Sequence, residues 1–225
     1  MNDPKAFLLA QGLTVLQRGI APQDALPLID AAFRGGVRIF EITFNPSDPD
    51  TCEKTARVIR AVHDRYGDEV LVGAGTVLYP EYARAAKDAG GEFAFSPNVD
   101  TEVIAETKKL GMLSIPGAFT PSECMQAWRA GADLVKLFPI TVNDIGYLKN
   151  IMAPLSHIPF ITTGGVNPDT IEAFFEAGVA GVGTGASIFK KELVAAKDYD
   201  AITALAKTHV DIVRACREKY AGRSR

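Results

Sequence analysis

Asp133-Leu134-Val135-Lys136-Leu137-Phe138-Pro139 has the length and the β-branched and aromatic content of a buried strand, and Pro139 ends it. A lysine stands in the middle of this apolar run. Taking an ammonium out of water costs on the order of several kcal/mol, so such a lysine finds a partner, reaches back to solvent or gives up its proton. Two readings stay open on this stretch alone. Lys136 pairs with Asp133 or extends to a strand end, or it is a neutral amine in an apolar pocket, the nucleophile of Schiff-base chemistry.

Outward from this stretch, short β-rich segments alternate with longer segments of helical period. Strands are expected near residues 13–17, 39–43, 70–73, 93–96, 113–116, 134–138, 161–163 and 181–183. The helices between them carry start and stop signals. Pro22 precedes the run Ala25, Leu28, Ile29, Ala32 and Phe33, while Thr120-Pro121-Ser122-Glu123 and Asn167-Pro168-Asp169-Thr170 read as N-caps followed by proline and an acid. Gly35-Gly36, Gly90-Gly91, Gly111 and Gly131 punctuate helix ends. Residues 201–220 read as a closing amphipathic helix with Ile202, Leu205, Ala206, Val210, Ile212, Val213 and Cys216 at helical spacing, and 221–225 as a frayed tail. Eight strand-helix units without a break in composition predict an α/β fold, a single (β/α)8 TIM barrel spanning residues 1–225 with an N-terminal lead-in. The alternative is a doubly wound sheet with two extra edge strands.

Strand alternation then says where the polar residues point. Around the second strand, Phe40, Ile42 and Phe44 share one face, and Glu41, Thr43 and Asn45 the other. The outer face of a barrel strand packs under helices, so the polar set is expected to line the interior. If Val135 and Leu137 pack outward, Lys136 points into the same interior as Glu41. The pair is either a plain ion pair or a nucleophile with a proton-transfer group; only the second arrangement calls for an open pocket beside it.

Strand ends add candidates. Gly73-Ala74-Gly75-Thr76 permits close backbone approach and adds a hydroxyl, and Ser96-Pro97-Asn98 and Pro116-Gly117 are sharp turns. Thr162-Thr163-Gly164-Gly165 and Gly183-Thr184-Gly185-Ala186-Ser187 end the seventh and eighth strands, where paired glycine-rich loops of a barrel bind phosphate. Arg18 ends the first strand, which neighbours those loops in a closed barrel.

The bulk properties narrow the partners. Net charge is −3, and the one dense basic run is the short end at Arg223 and Arg225, which argues against nucleic acid or a membrane as partner. Cys52, Cys124 and Cys216, and His63, His157 and His209, are scattered without metal-ligand or disulfide spacing, so no metal is expected. The apolar patch at residues 6–10 is too short for a signal sequence or a span, and a cytoplasmic location is expected.

Taken in order, Glu41-Ile42-Thr43, Gly73-Ala74-Gly75-Thr76-Val77-Leu78, Ser96-Pro97, Ile115-Pro116-Gly117, Lys136-Leu137-Phe138-Pro139 and Thr163-Gly164-Gly165 resemble the 2-keto-3-deoxy-6-phosphogluconate (KDPG) and 4-hydroxy-2-oxoglutarate (KHG) aldolases over nearly the whole chain. The resemblance implies a lysine-dependent class I aldolase on a (β/α)8 barrel, normally a homotrimer, needing no cofactor and acting on a small-molecule keto acid. It further implies Lys136 as the Schiff-base lysine and Glu41 as general acid/base. Thr76 and Thr163 would surround the pyruvate moiety, with Pro97 and Phe138 also at the substrate. Gly164, Gly165 and Gly185 would form the phosphate loops, and Arg18 would supply a basic side chain. Asn45 stands where gluconate-type enzymes carry arginine, and Glu-Ile-x-x-Asn resembles the galactonate branch, which acts on 2-dehydro-3-deoxy-6-phosphogalactonate. Ala186 replaces the usual phosphate-loop serine; the adjacent Ser187 is expected to face elsewhere. The substrate implied is a 2-keto-3-deoxy-6-phospho sugar acid, cleaved to pyruvate and D-glyceraldehyde 3-phosphate. The rivals are an aldolase for 4-hydroxy-2-oxoglutarate or another unphosphorylated keto acid, a phosphosugar isomerase or epimerase, and a non-catalytic phosphosugar-binding barrel.

Overall fold

Each strand segment is followed by a helix that cannot bury its apolar stripe alone, and the shared solution is a ring of parallel strands inside a ring of helices. A computed structural model describes residues 3–221. The strands are β1 (Leu13–Gln17), β2 (Ile39–Thr43), β3 (Leu71–Gly75), β4 (Phe93–Phe95), β5 (Leu113–Ile115), β6 (Gly117–Ala118), β7 (Val135–Leu137), β8 (Phe160–Thr163) and β9 (Gly181–Thr184). They lie in the order β5-β4-β3-β2-β1-β9-β8-β7-β6, all parallel. The outermost two, β5 and β6, are halves of one extended stretch on either side of Pro116, which lacks the N–H that a continuous ladder needs. Its carbonyl still accepts from the Lys136 N–H at 2.9 Å, so this stretch closes the ring between β4 and β7. The eight expected strand positions are therefore present, one of them split, and the doubly wound alternative is excluded by the sheet order.

The helices are α1 (Pro4–Gln11), α2 (Pro22–Arg34), α3 (Thr51–Tyr66), α4 (Pro80–Asp88), α5 (Thr101–Lys109), α6 (Pro121–Arg129), α7 (Ile145–Met152), α8 (Ile171–Ala177), α9 (Lys191–Ala196) and α10 (Tyr199–Lys219). Thr120 and Glu123 form the reciprocal capping box that opens α6. The expected cap at Asn167 works differently. Its side chain accepts from the Asp169 N–H and its own N–H donates to Thr170 Oγ1, making a local turn, so α8 starts only at Ile171. The closing helix α10 buries Ile202, Ala206, His209, Val213 and Cys216 against α2 and α8. Most of the frayed tail expected at 221–225, including Arg223 and Arg225, lies outside the described residues.

The core has two parts. Phe40, Ile42, Val72, Val135, Leu137 and Phe160 belong to the layer between strands and helices. Ile39, Leu71, Phe93, Phe95, Leu113, Ile115, Leu134 and Ile161 fill the barrel interior, joined by Leu8 of α1. The lead-in is thus a helix whose Leu8 enters the barrel from the N-terminal ends of the strands. Gly12 stops it in the left-handed region, its N–H bonded to Leu8 O at 3.0 Å. Above this apolar plug the interior turns polar, beginning with Glu41 and Lys136. Among the described residues, no helix is long and apolar enough to cross a membrane.

Candidate active site

Lys136 sits in the centre of β7 with Val135 and Leu137 packed outward, so alternation carries its side chain inward, above Leu134. It is 6% exposed. Its Nζ lies 4.7 Å from the centre of the Phe138 ring and 5.7 Å from that of Phe95. Among the described residues, every fully buried side-chain nitrogen or oxygen has a hydrogen-bond partner. The ion pairs within 4.0 Å do not include one between Lys136 and Glu41. Asp133, the other candidate partner, is held instead by Lys108 at 2.7 Å and by the Ser114 N–H. Lys136 faces a cavity of about 730 Å³.

That cavity opens at the C-terminal ends of the strands. Lys136, Glu41, Arg18, Thr76, Pro97, Phe138, Thr163, Gly164, Gly165, Gly185 and Ala186 all line it, so eleven of the twelve residues singled out in the sequence come together. Glu41 is 1% exposed and accepts a hydrogen bond from Thr43 Oγ1 at 2.8 Å. Burial pushes its carboxyl above the ordinary value; Lys136, the Thr43 hydroxyl and Arg18 all pull the other way. Burial likewise pushes the Lys136 amine below its ordinary value, opposed by Glu41 and reinforced by Arg18. The two groups therefore move toward each other in proton affinity, which favours exchange of a proton between them. Arg18 Nη2 donates to Thr76 Oγ1 at 3.1 Å, and Thr76 takes the left-handed backbone conformation (φ 57°). Such a conformation is uncommon for a branched residue and concentrates at functional sites.

Gly75 explains the second glycine of its motif. A Cβ at that position would lie 1.6 Å from Glu41 Oε1, so the bare backbone leaves room for the carboxylate. In the loop after β8, Gly164 and Gly165 have φ of 116° and 62°, conformations that only glycine takes readily.

Asn45 is the one singled-out residue that the structure does not bring to this cavity. Strand β2 ends at Thr43, so the alternation stops, and the chain turns with Asn45 Oδ1 accepting from the Ser47 N–H. Asn45 lines a neighbouring cavity of about 370 Å³ with Thr43, Asp48 and Lys54. Ser187 also differs from expectation. The Ile188 and Phe189 N–H groups both bond to Gly185 O, and this tight turn brings Ser187 into the lining of the main cavity. Phe95 was not singled out in the sequence; sharing a face with Phe93 on a strand expected inside a barrel was the available signal. Leu16, Val166, Asn167 and Thr184 complete the lining, with Thr184 Oγ1 tying the two glycine loops together through Val166 O at 2.8 Å.

A model of the KDPG and KHG aldolases matches residues 10–205. The 2-dehydro-3-deoxy-6-phosphogalactonate aldolase of Escherichia coli (strain K12) is 35% identical over 79% of this chain and 84% of its own. A solved native KDPGal structure superposes with a TM-score of 0.81 at 32% identity, covering 92% of this chain and 96% of that one. So does a KDPG aldolase from Legionella pneumophila with pyruvate captured as a covalent carbinolamine, with a TM-score of 0.78 at 29% identity over 91% and 97% of the two chains. By the span of the family model and the identity to its relatives, the chain belongs to the KDPG and KHG aldolase family.

Proposed function

We propose that Lys136 forms the Schiff base and Glu41 moves the protons in reversible cleavage of a 2-keto-3-deoxy-6-phospho sugar acid, of gluconate or galactonate type, to pyruvate and D-glyceraldehyde 3-phosphate. The chain is a class I aldolase. The observation that carries the assignment of roles is a buried amine of depressed proton affinity facing an open cavity beside a carboxyl of raised affinity.

The neutral Lys136 amine adds to the C2 ketone, and loss of water from the carbinolamine leaves a protonated imine. That cation accepts the electron pair of the C3–C4 bond. Glu41 takes the C4 hydroxyl proton, the C3–C4 bond breaks, and the aldehyde leaves an enamine on Lys136. Glu41 returns a proton to C3, and hydrolysis frees pyruvate and regenerates the amine. Thr76 and Thr163 hold the pyruvate end, Pro97 and Phe138 pack against it, and Phe138 and Phe95 keep the lysine dry. The phosphate lies in the loops of Gly164, Gly165, Gly185 and Ala186, with Arg18 supplying positive charge.

The chain acts as a single barrel of residues 1–225 in the cytoplasm, as a homotrimer. The stacked, exposed pair Phe119 and Tyr147, centroids 4.9 Å apart, supports subunit contact.

Coupling pyruvate release to lactate dehydrogenase over both C4 epimers, each with and without the phosphate, tests the substrate. One phosphorylated epimer should be turned over well above its unphosphorylated counterpart. Equal or better turnover of the unphosphorylated acids would favour the second reading, an unphosphorylated keto-acid aldolase, to which the missing hydroxyl at Ala186 lends support.

A further inference from the structure

Ser187 Oγ lies 2.8 Å from Nε2 of His209, and Nδ1 of the same ring lies 2.7 Å from the carbonyl oxygen of Leu205. His209 is fully buried on α10 and does not line the cavity; Ser187 does. A carbonyl can only accept, so Nδ1 carries a hydrogen. In the neutral ring Nε2 is then bare, and the Ser187 hydroxyl donates to it. One hydroxyl has one hydrogen. While His209 holds it, Ser187 turns only lone pairs toward the cavity, and an anion there meets an acceptor. A second proton on the ring reverses this: Nε2–H donates to Ser187 Oγ, and the serine hydrogen is free to turn to the anion.

We propose that His209 is a positioning residue for the anion subsite of the two glycine-rich loops, and that phosphoryl binding there is coupled to uptake of one proton by the Ser187–His209 pair. This rests on the placement of the substrate phosphate in those loops. Ala186 offers no hydroxyl and the Thr184 hydroxyl already donates to Val166 O, which leaves Ser187 as the hydroxyl that the second loop can turn to an anion.

The surroundings favour the neutral ring. Burial holds His209 below the ordinary histidine value, and the positive charge of Lys190 adds to this, against the pull of the Leu205 carbonyl. The helices packed on α10 from either side bury apolar faces, Ala25, Leu28 and Ile29 from α2 and Ile171, Phe174 and Phe175 from α8. The first turn of α9 brings Lys191 and Glu192. A bound phosphoryl dianion next to Ser187 is the added charge that favours the second proton.

The test compares wild type, His209→Gln and Ser187→Ala by the ratio of kcat/KM for a phosphorylated substrate to that for the same acid without phosphate. A glutamine carboxamide supplies an N–H donor that does not titrate. Ser187 is half-buried in a loop, so its truncation leaves the core intact if His209→Gln folds poorly. In the wild type the ratio should fall about tenfold or more between roughly pH 6 and pH 9, the size expected for one hydrogen bond to a charged group. In both variants this fall should be lost, leaving only the dependence that the substrate phosphate itself gives. Ionisation of the substrate phosphate is common to all three proteins and cancels in the comparison. Parallel profiles in all three would overturn the proposal. A wild-type ratio near one at every pH would instead remove the phosphate placement, and this proposal with it.

Discussion

The carboxylate of Glu41 occupies the space that a side chain at residue 75 would need: a Cβ on Gly75 would lie 1.6 Å from Oε1 and 2.1 Å from Cδ. Residues on two neighbouring strands, β2 and β3, are thereby matched, a buried acid on one and an absent side chain on the other. Gly75→Ala should drive the carboxylate out of its place while leaving Lys136 alone. Turnover is expected to fall by about 10²–10⁴-fold, the usual contribution of a placed acid–base group. Reductive trapping of pyruvate on the lysine should persist. Steady-state kinetics beside mass spectrometry checks both; unchanged kcat would show that Glu41 does not need this position.

Thr43 donates its hydroxyl to Glu41 and so stabilises the ionised carboxylate. Thr43→Val removes that donor, which raises the proton affinity of Glu41 further. Because Glu41 must be ionised to accept the C4 proton, the acid limb of the kcat profile should move to higher pH. A limb that stays in place or moves to lower pH would contradict the assignment.

Glu41→Gln separates the two roles. The negative charge of Glu41 raises the proton affinity of Lys136, so its removal leaves burial and Arg18 less opposed and lowers that affinity further. Pyruvate trapping on the lysine should therefore begin at lower pH than in the wild type, while aldol cleavage drops by about 10²–10⁴-fold. Loss of both together would mean that Glu41 is needed to form the Schiff base as well.

Leu8 joins the interior core from outside the strand ring, and it is 2% exposed. Leu8→Ala should lower unfolding free energy by about 2–5 kcal/mol, as truncation of a buried leucine does. Urea denaturation measures this, and a loss well below that range would mean that α1 is not part of the folded core.

Interactions within one strand leave a pattern in the sequence, whereas turns and contacts between distant elements do not. Lys136 and Glu41 could be aimed at one interior because alternation is a local rule, and each lies between outward-facing apolar residues, Val135 and Leu137 or Phe40 and Ile42. Asn45 lay beyond the end of its strand, where the rule no longer holds and an Asx turn decides. The helix over residues 4–11 was missed because an eight-residue segment with a single buried side chain has little periodicity to read. Capping chemistry at Thr120 was legible, whereas at Asn167 the same residue types close a turn instead. The contact between Ser187 and His209 joins residues from a loop and the closing helix. Helical spacing can place His209 on a buried face, but not say what it meets.

Lys136 is the nucleophile of this mechanism, and borohydride reduction in the presence of pyruvate should fix the bound pyruvate on its side chain. Peptide mass mapping should find one pyruvate-derived increment, on Lys136, and Lys136→Met should remain folded with neither trapping nor cleavage. An increment on another lysine, no increment at all, or turnover by the folded Lys136→Met variant would rule Lys136 out as the nucleophile.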